Sequence, residues 1–172
     1  MNRANSEGAI IRNERAEDES AVRSVIEAAF GRPAEAGLVE MLRAGGAVLM
    51  SLIAECDERI VGHVLFSRIW IETAQSSVDA VGLAPVAVLP EYQRRGIGGG
   101  LINAGLESLR KVERIVLVLG RPDYYRRFGF SIDKAQTIKT PFPAESFMAM
   151  ELRPGALDGI HGTVKYPPAF GL

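Results

Sequence analysis

The segment Gln93-Arg94-Arg95-Gly96-Ile97-Gly98-Gly99-Gly100 carries residue types suited to holding phosphate. It follows a long apolar run at residues 78–89 and leads into Leu101, Ile102, Ala104, Leu106 and Leu109, which are spaced as in a helix. A buried strand, a tight turn and a helix start therefore meet at one place. Such a turn leaves several backbone N–H groups aimed into the same space at the positive end of a helix. Arg94 and Arg95 add positive charge at its rim. Glycine in a helical turn costs up to about 1 kcal/mol relative to alanine, so keeping Gly98, Gly99 and Gly100 together calls for a packing or ligand reason. Two familiar phosphate motifs do not fit. The adenosine-triphosphate loop ends in Gly-Lys-Ser or Gly-Lys-Thr, whereas Leu101 follows Gly100. The dinucleotide fingerprint opens a parallel fold, whereas this turn comes late and follows a hairpin pattern.

A second constellation is Tyr124-Tyr125-Arg126-Arg127-Phe128-Gly129-Phe130. A phenol, with an ordinary pKa near about 10, can donate a proton or a hydrogen bond to a developing anion. The plainer alternative is that both rings pack a short helix against a sheet. Glu72, Asp79 and Glu145 read as solvated carboxylates, and no general base stands out. His63 reads as a structural strand residue. His161 falls in a tail, residues 154–172, that has no clear pattern, and two histidines so far apart make no metal-ligand set. Cys56, the one cysteine, ends an apolar run and reads as a core or near-core residue. It excludes a disulfide within the chain and a site built on several thiolates. No metal is expected.

The elements that must position these residues follow from periodicity. Residues 10–14 suit a first strand. Ala21, Val22, Val25, Ile26, Ala29 and Phe30 give a helix stopped by Gly31-Arg32-Pro33, and residues 34–43 give a second, stopped by Gly45-Gly46. Residues 48–55 and 60–71 form a hairpin about the turn Asp57-Glu58-Arg59. Residues 78–89 form a fourth strand, in which Pro85 implies a bulge, a bend or an edge. Residues 115–119 form a fifth, buried strand. Residues 122–128 form a short helix opened by proline. Residues 130–132 begin a further strand, and residues 147–152 form a last one. The order predicts an α/β (α+β) fold: one mixed sheet with helices on both faces.

Length and composition bound the rest. The chain has 172 residues, which suits one domain, residues 10–172, behind a flexible N-terminus at residues 1–9. Apolar residues make up 47% and charged residues 24%, an ordinary globular balance. A net charge of -1 argues against selection for nonspecific nucleic-acid binding. No run reaches the roughly 18 apolar residues of a membrane span, so no membrane partner is expected and the default location is cytoplasmic. A monomer and a homodimer are equally compatible.

The stretch Gln93-Arg94-Arg95-Gly96-Ile97-Gly98 resembles the acyl-CoA signature of the GCN5-related N-acetyltransferases (GNAT), Gln/Arg-x-x-Gly-x-Gly/Ala. The element order and the segment Leu119 to Phe130 are similar to a bacterial branch of that superfamily. The resemblance implies a mostly antiparallel sheet of about six or seven strands, splayed between the fourth and fifth. It implies acetyl-CoA, or coenzyme A, as co-substrate. The backbone of Val86, Ala87 and Val88 would pair with the pantetheine arm, and that of Arg94, Arg95, Gly96, Ile97, Gly98 and Gly99 would hold the pyrophosphate. Tyr125 matches the general-acid tyrosine of a Tyr-x-x-x-Gly-Phe pattern. The implied activity is N-acetyl transfer by direct attack of a primary amine on the thioester. The acceptor would be a small molecule or a protein amine. A coenzyme-A-binding sensor or structural module without catalysis is the alternative. The loop Gly120-Arg121-Pro122-Asp123 departs from the family by lacking the asparagine many members carry.

Overall fold

Apolar spacing becomes two helices near the start of the chain. In Glu19–Phe30 (α1), Val22, Val25 and Ile26 are buried, and Gly31 in the left-handed region ends the helix by donating its N–H to Glu27 O at 2.8 Å. In Ala34–Ala44 (α2), Ala36, Val39 and Leu42 are buried. The computed structural model describes residues 3–4 and 8–172. Of the expected flexible N-terminus, positions 1–2 and 5–7 lie outside the described residues.

Nine strands occur among the described residues: Arg3–Ala4 (β1), Ile10–Asn13 (β2), Val48–Cys56 (β3), Arg59–Thr73 (β4), Ser77–Val88 (β5), Ile115–Leu119 (β6), Ile138–Lys139 (β7), Phe147–Glu151 (β8) and Gly162–Lys165 (β9). Two further helices are Ile97–Leu109 (α3) and Pro122–Tyr125 (α4). The chain forms two compact units, one within Met1–Phe66 and Pro85–Gly105, the other Ser67–Ala84 and Leu106–Leu172. Strands β4 and β5 and helix α3 each run from one unit into the other.

In the first unit β1, β2 and β3 pair antiparallel, with Ile10 opposite Glu55 and Asn13 opposite Leu52. Asp57 and Glu58, at φ 46° and 61°, turn β3 into β4. Two consecutive left-handed residues are the turn whose twist matches a hairpin. Helices cover both faces of this part of the sheet. A Cβ on Gly62 would meet Ile97 and Leu101 of α3 at 3.1 Å. Its neighbour His63, which points the opposite way, joins a cluster that includes Arg43 of α2.

In the second unit β6 pairs antiparallel with β8 at five positions, from Ile115 opposite Glu151 to Leu119 opposite Phe147. It pairs parallel with β5 at only two, Val81 with Val116 and Gly82 with Leu117, although β5 continues to Val88. This short ladder stops before Pro85, where the sequence requires interrupted pairing. The core of the unit includes Ile69, Ile71, Ile115, Leu117, Phe147 and Val164. Arg68 donates to both oxygens of Glu113, at 3.0 and 2.6 Å, and so ties β4 to the loop before β6.

The result is a mixed, mostly antiparallel α/β fold with flanking helices, as expected. It differs in detail. Residues 130–132 form one bridge, Ser131 with Ala149, and no strand. The unpatterned tail holds β9, antiparallel to the end of β4 and parallel to β7. Together with β1 these short pieces account for the larger strand number.

Candidate acyl-CoA site

The candidate phosphate turn is built from the end of β5. Along it Pro85, Ala87 and Leu89 are buried, while Ala84, Val86 and Val88 are half-exposed. Leu89 N–H donates to Val61 O at 2.8 Å, which holds this end of β5 against β4. A single 3-10 turn, Pro90–Tyr92, then reverses the chain, and the Gln93 amide closes it by donating to Val88 O at 3.0 Å. Two residues next adopt left-handed backbone, Arg94 at φ 63° and Gly96 at φ 79°. For arginine this costs on the order of 1–2 kcal/mol, and such strain concentrates at ligand-binding turns. Ile97 is buried and anchors the start of α3, whereas Arg94, Arg95 and Gly96 are exposed. The first helical bond runs from Gly100 N–H to Gly96 O at 2.9 Å. The N–H groups of Ile97, Gly98 and Gly99 therefore lie at the open, positive end of the helix. The Arg95 guanidinium stands 5.2 Å from the centre of the Tyr92 ring, and Arg59, paired with Glu91 at 3.1 Å, stands 5.8 Å from it.

The sequence-expected cofactor residues Val86, Ala87, Val88, Arg94, Arg95, Gly96, Ile97, Gly98 and Gly99 thus all fall in the first unit, on one strand–turn–helix. The left-handed Arg94 was not foreseen; only glycine signals such a conformation in a sequence.

Tyr125 belongs to the second unit. Proline at the first position of α4 starts the helix, and Gly129 at φ 101° ends the turn that follows it. That reversal brings Phe130 edge-on to Tyr125, with ring centres 5.8 Å apart at 87°. Tyr124 meets Tyr125 edge-on at 5.0 Å, and Phe128 stands 6.4 Å away. Gly120 completes the cage: a Cβ there would lie 2.3 Å from Tyr125 Cε2, so this ring position requires glycine. The Tyr-x-x-x-Gly-Phe spacing therefore has a physical basis, since its glycine and phenylalanine fix the tyrosine ring. Burial, with a smaller contribution from Tyr124, pushes the Tyr125 phenol up to about 12. Tyr125 is thus a firm hydrogen-bond donor at neutral pH. Arg127 lies over the Tyr124 ring at 4.3 Å, leaving that tyrosine in a packing role.

Sequence reasoning missed a polar cluster in the first unit. His63 is fully buried, and its Nε2 lies 2.8 Å from Ser51 Oγ and 3.4 Å from Glu14 Oε2. Glu14 also accepts from Ser51 and from Arg43. Burial alone would raise the Glu14 carboxyl, but hydrogen bonds from His63 and Ser51 outweigh it and hold it below the ordinary range. Burial lowers the His63 imidazole. Its Nδ1 has no hydrogen-bond partner among the described residues. No sequence signal joins these four residues, because each comes from a different element.

No helix among the described residues is long and apolar enough to cross a membrane.

The family model for the Acetyltransferase (GNAT) domain matches residues 10–132. The uncharacterized N-acetyltransferase YjhQ of Escherichia coli K12 is 40% identical over 134 residues, 74% of this chain and 74% of its own length. The crystal structure of Escherichia coli YhbS in complex with CoA superposes with a TM-score of 0.87 at 33% identity, over 95% of this chain and 92% of that one. A GNAT family acetyltransferase from Brucella melitensis, solved in complex with acetyl-CoA, gives 0.79 at 38% identity, over 94% and 97%. With its element order, its Gln93-to-Gly98 turn and these matches, the chain belongs to the GNAT acetyltransferase family.

Proposed function

We propose that this protein transfers the acetyl group of acetyl-CoA to a primary amine, on a small molecule or a protein, by direct attack on the thioester. In this reading residues 10–172 act as one acyl-CoA N-acyltransferase domain. The observation that carries it is the turn from β5 into α3. Its left-handed Arg94 and Gly96 and the free first-turn N–H groups of α3 suit a diphosphate. Two relatives of closely similar structure were solved with CoA and acetyl-CoA.

In this reading the backbone of Arg94 to Gly99 binds the pyrophosphate, with Arg94 and Arg95 screening its charge. Val86 to Val88 offer backbone groups to the pantetheine arm, as a neighbouring strand would. A backbone N–H near Val88 stabilises the oxygen that gains charge when the amine adds. Tyr125 serves the departing sulfur. With its phenol at about 12 against an ordinary thiol near about 8.5, full proton transfer would cost roughly 5 kcal/mol. Its contribution is therefore a hydrogen bond to the developing thiolate, worth about 1.5–3 kcal/mol, with solvent supplying the proton.

Titration calorimetry with CoA and acetyl-CoA, followed by thiol release from acetyl-CoA across a panel of amines, tests the proposal. Binding of both with amine-dependent thiol release is expected. Binding without release across the panel would leave a coenzyme-A-binding module; no binding at all would remove the site.

A further inference from the structure

Three aromatic rings of the second unit are only half-buried, although they adjoin a core of fully buried residues. Phe142 meets Tyr166 edge-on, with ring centres 5.8 Å apart at 81°, and Tyr166 meets Phe170 at 4.9 Å. Burial pushes the Tyr166 phenol up to about 12, so it stays neutral and can donate. The strand order explains why Phe142 is there. β7 and β8 follow one another in the chain but stand at opposite ends of the order β7-β9-β4-β5-β6-β8. Residues 140–146 must therefore cross β9, β4, β5 and β6, about 24 Å at the usual strand spacing. The steps from Lys139 to Phe147 reach at most about 29 Å. The connection is a strap with little slack, stiffened by Pro141 and Pro143. One end of it holds Phe142 against Tyr166. At the other end Ser146 O accepts from Gly120 N–H at 2.9 Å, and the Tyr125 ring lies on Gly120. Ser146 N–H donates to Pro143 O at 3.0 Å, so the Cα atoms of Phe142 and Ser146 lie within about 11 Å. Leu119, opposite the core residue Phe147 and so pointing to its face, is 41% exposed. An open apolar surface thus runs from the three rings to the corner where Tyr125 stands.

We infer that Phe142, Tyr166 and Phe170 bind the body of the acceptor, and that the acceptor is a primary amine joined by a short chain to an aromatic ring. This rests on the reading above, in which Tyr125 serves the departing sulfur and so marks where the amine attacks. The separation selects the class. An amine a few bonds from a ring spans the distance from that corner to the wall once its ring stacks there. Rings gain from edge-on and offset contacts beyond the burial of their apolar area. An alkyl chain of the same length buries similar area but makes no ring–ring contact. The wall is also fixed before the acceptor arrives. Phe142 N–H donates to Thr140 Oγ1 at 3.2 Å, and the turn that carries Phe170 opens with Pro167 and Pro168 and closes with Phe170 N–H on Pro167 O at 3.1 Å. Little ordering is left to be done on binding.

At saturating acetyl-CoA, the wild type should use 2-phenylethylamine about 10-fold better in kcat/KM than n-hexylamine, and better than a lysine-containing peptide. Phe142→Leu and Tyr166→Leu keep apolar bulk and remove a ring. Each should raise KM for 2-phenylethylamine about 3- to 10-fold, change KM for n-hexylamine less, and leave CoA affinity as in the wild type. Equal changes for the two amines, or none, would overturn the inference. Proton NMR of the wild type with CoA bound gives a measurement independent of how the variants fold. The ring resonances of Phe142 and Tyr166 should shift as 2-phenylethylamine is added. Rings that do not respond at concentrations that saturate turnover would likewise overturn it. Turnover of n-hexylamine or the peptide with no preference for the aromatic amine would sink this inference alone and leave the acyltransfer reading standing. A wild type that binds CoA but acetylates no amine would remove that reading, and this inference with it.

Discussion

Tyr125 is held by shape, not by a network: three aromatic edges and the bare backbone of Gly120 fix its ring. Tyr125→Phe keeps those edges and removes only the hydroxyl. Turnover should fall about 10- to 100-fold, the size of one hydrogen bond to a charged group, with CoA affinity unchanged in a direct titration. Unchanged turnover would take the tyrosine out of the chemistry. The buried cluster gives a second residue-scale expectation, in stability. The folded His63 is lowered by burial and the folded Glu14 by its partners. Both shifts are depressions, so the stability they carry is complete above the unfolded values and is lost as pH falls through the folded ones. For His63 the loss begins below about 6.5. Denaturant melts at neutral and mildly acid pH should show the wild type losing stability, and His63→Gln losing less. Equal losses would show that His63 is not the group being titrated.

At the scale of elements, α3 matters most, because its N-terminus forms the turn proposed to hold the diphosphate. Gly105 sets how closely the helix lies on β4: a Cβ there would fall 2.2 Å from Phe66 Cε2, inside any tolerable contact. Gly37 in α2 meets nothing within 4 Å. Two glycine-to-alanine changes in helices should therefore differ in sign. Gly37→Ala should stabilise by about 0.5–1 kcal/mol, whereas Gly105→Ala should destabilise by about 1–3 kcal/mol through overpacking and weaken CoA binding as the helix shifts. Chemical denaturation with CoA titration checks both. Legibility in the sequence followed the same division. Long periodic elements, α1 to α3 and β3 to β6, were readable because each carries its own apolar pattern. The strands β1, β7 and β9 were not: two to four residues hold no period, and they exist because a neighbouring edge supplies hydrogen bonds. The turn from β5 into α3 was readable because its glycines stand out in the sequence. The group Glu14, Arg43, Ser51 and His63 was not, since only the folded chain brings it together.

For the molecule as a whole, a net charge of -1 and an anionic co-substrate look mismatched. In the proposed reading the mismatch is resolved locally, by exposed Arg94 and Arg95 and by backbone dipoles that add nothing to the formal charge. Binding should therefore weaken with added salt, but only in part, because in that reading the fixed N–H groups of the turn touch the phosphates directly. Binding to the folded chain alone must also stabilise it. At a hundredfold excess over its dissociation constant, CoA should add about 2.7 kcal/mol, a rise of roughly 5–11 °C in Tm for a chain of this size. Gly98→Val places a branched side chain among the first-turn N–H groups. It should leave the unliganded protein folded and abolish most of the CoA-induced rise, as thermal melts with and without CoA would record. A variant that kept the full rise would show that the diphosphate does not rest on the start of α3, whatever else the protein binds.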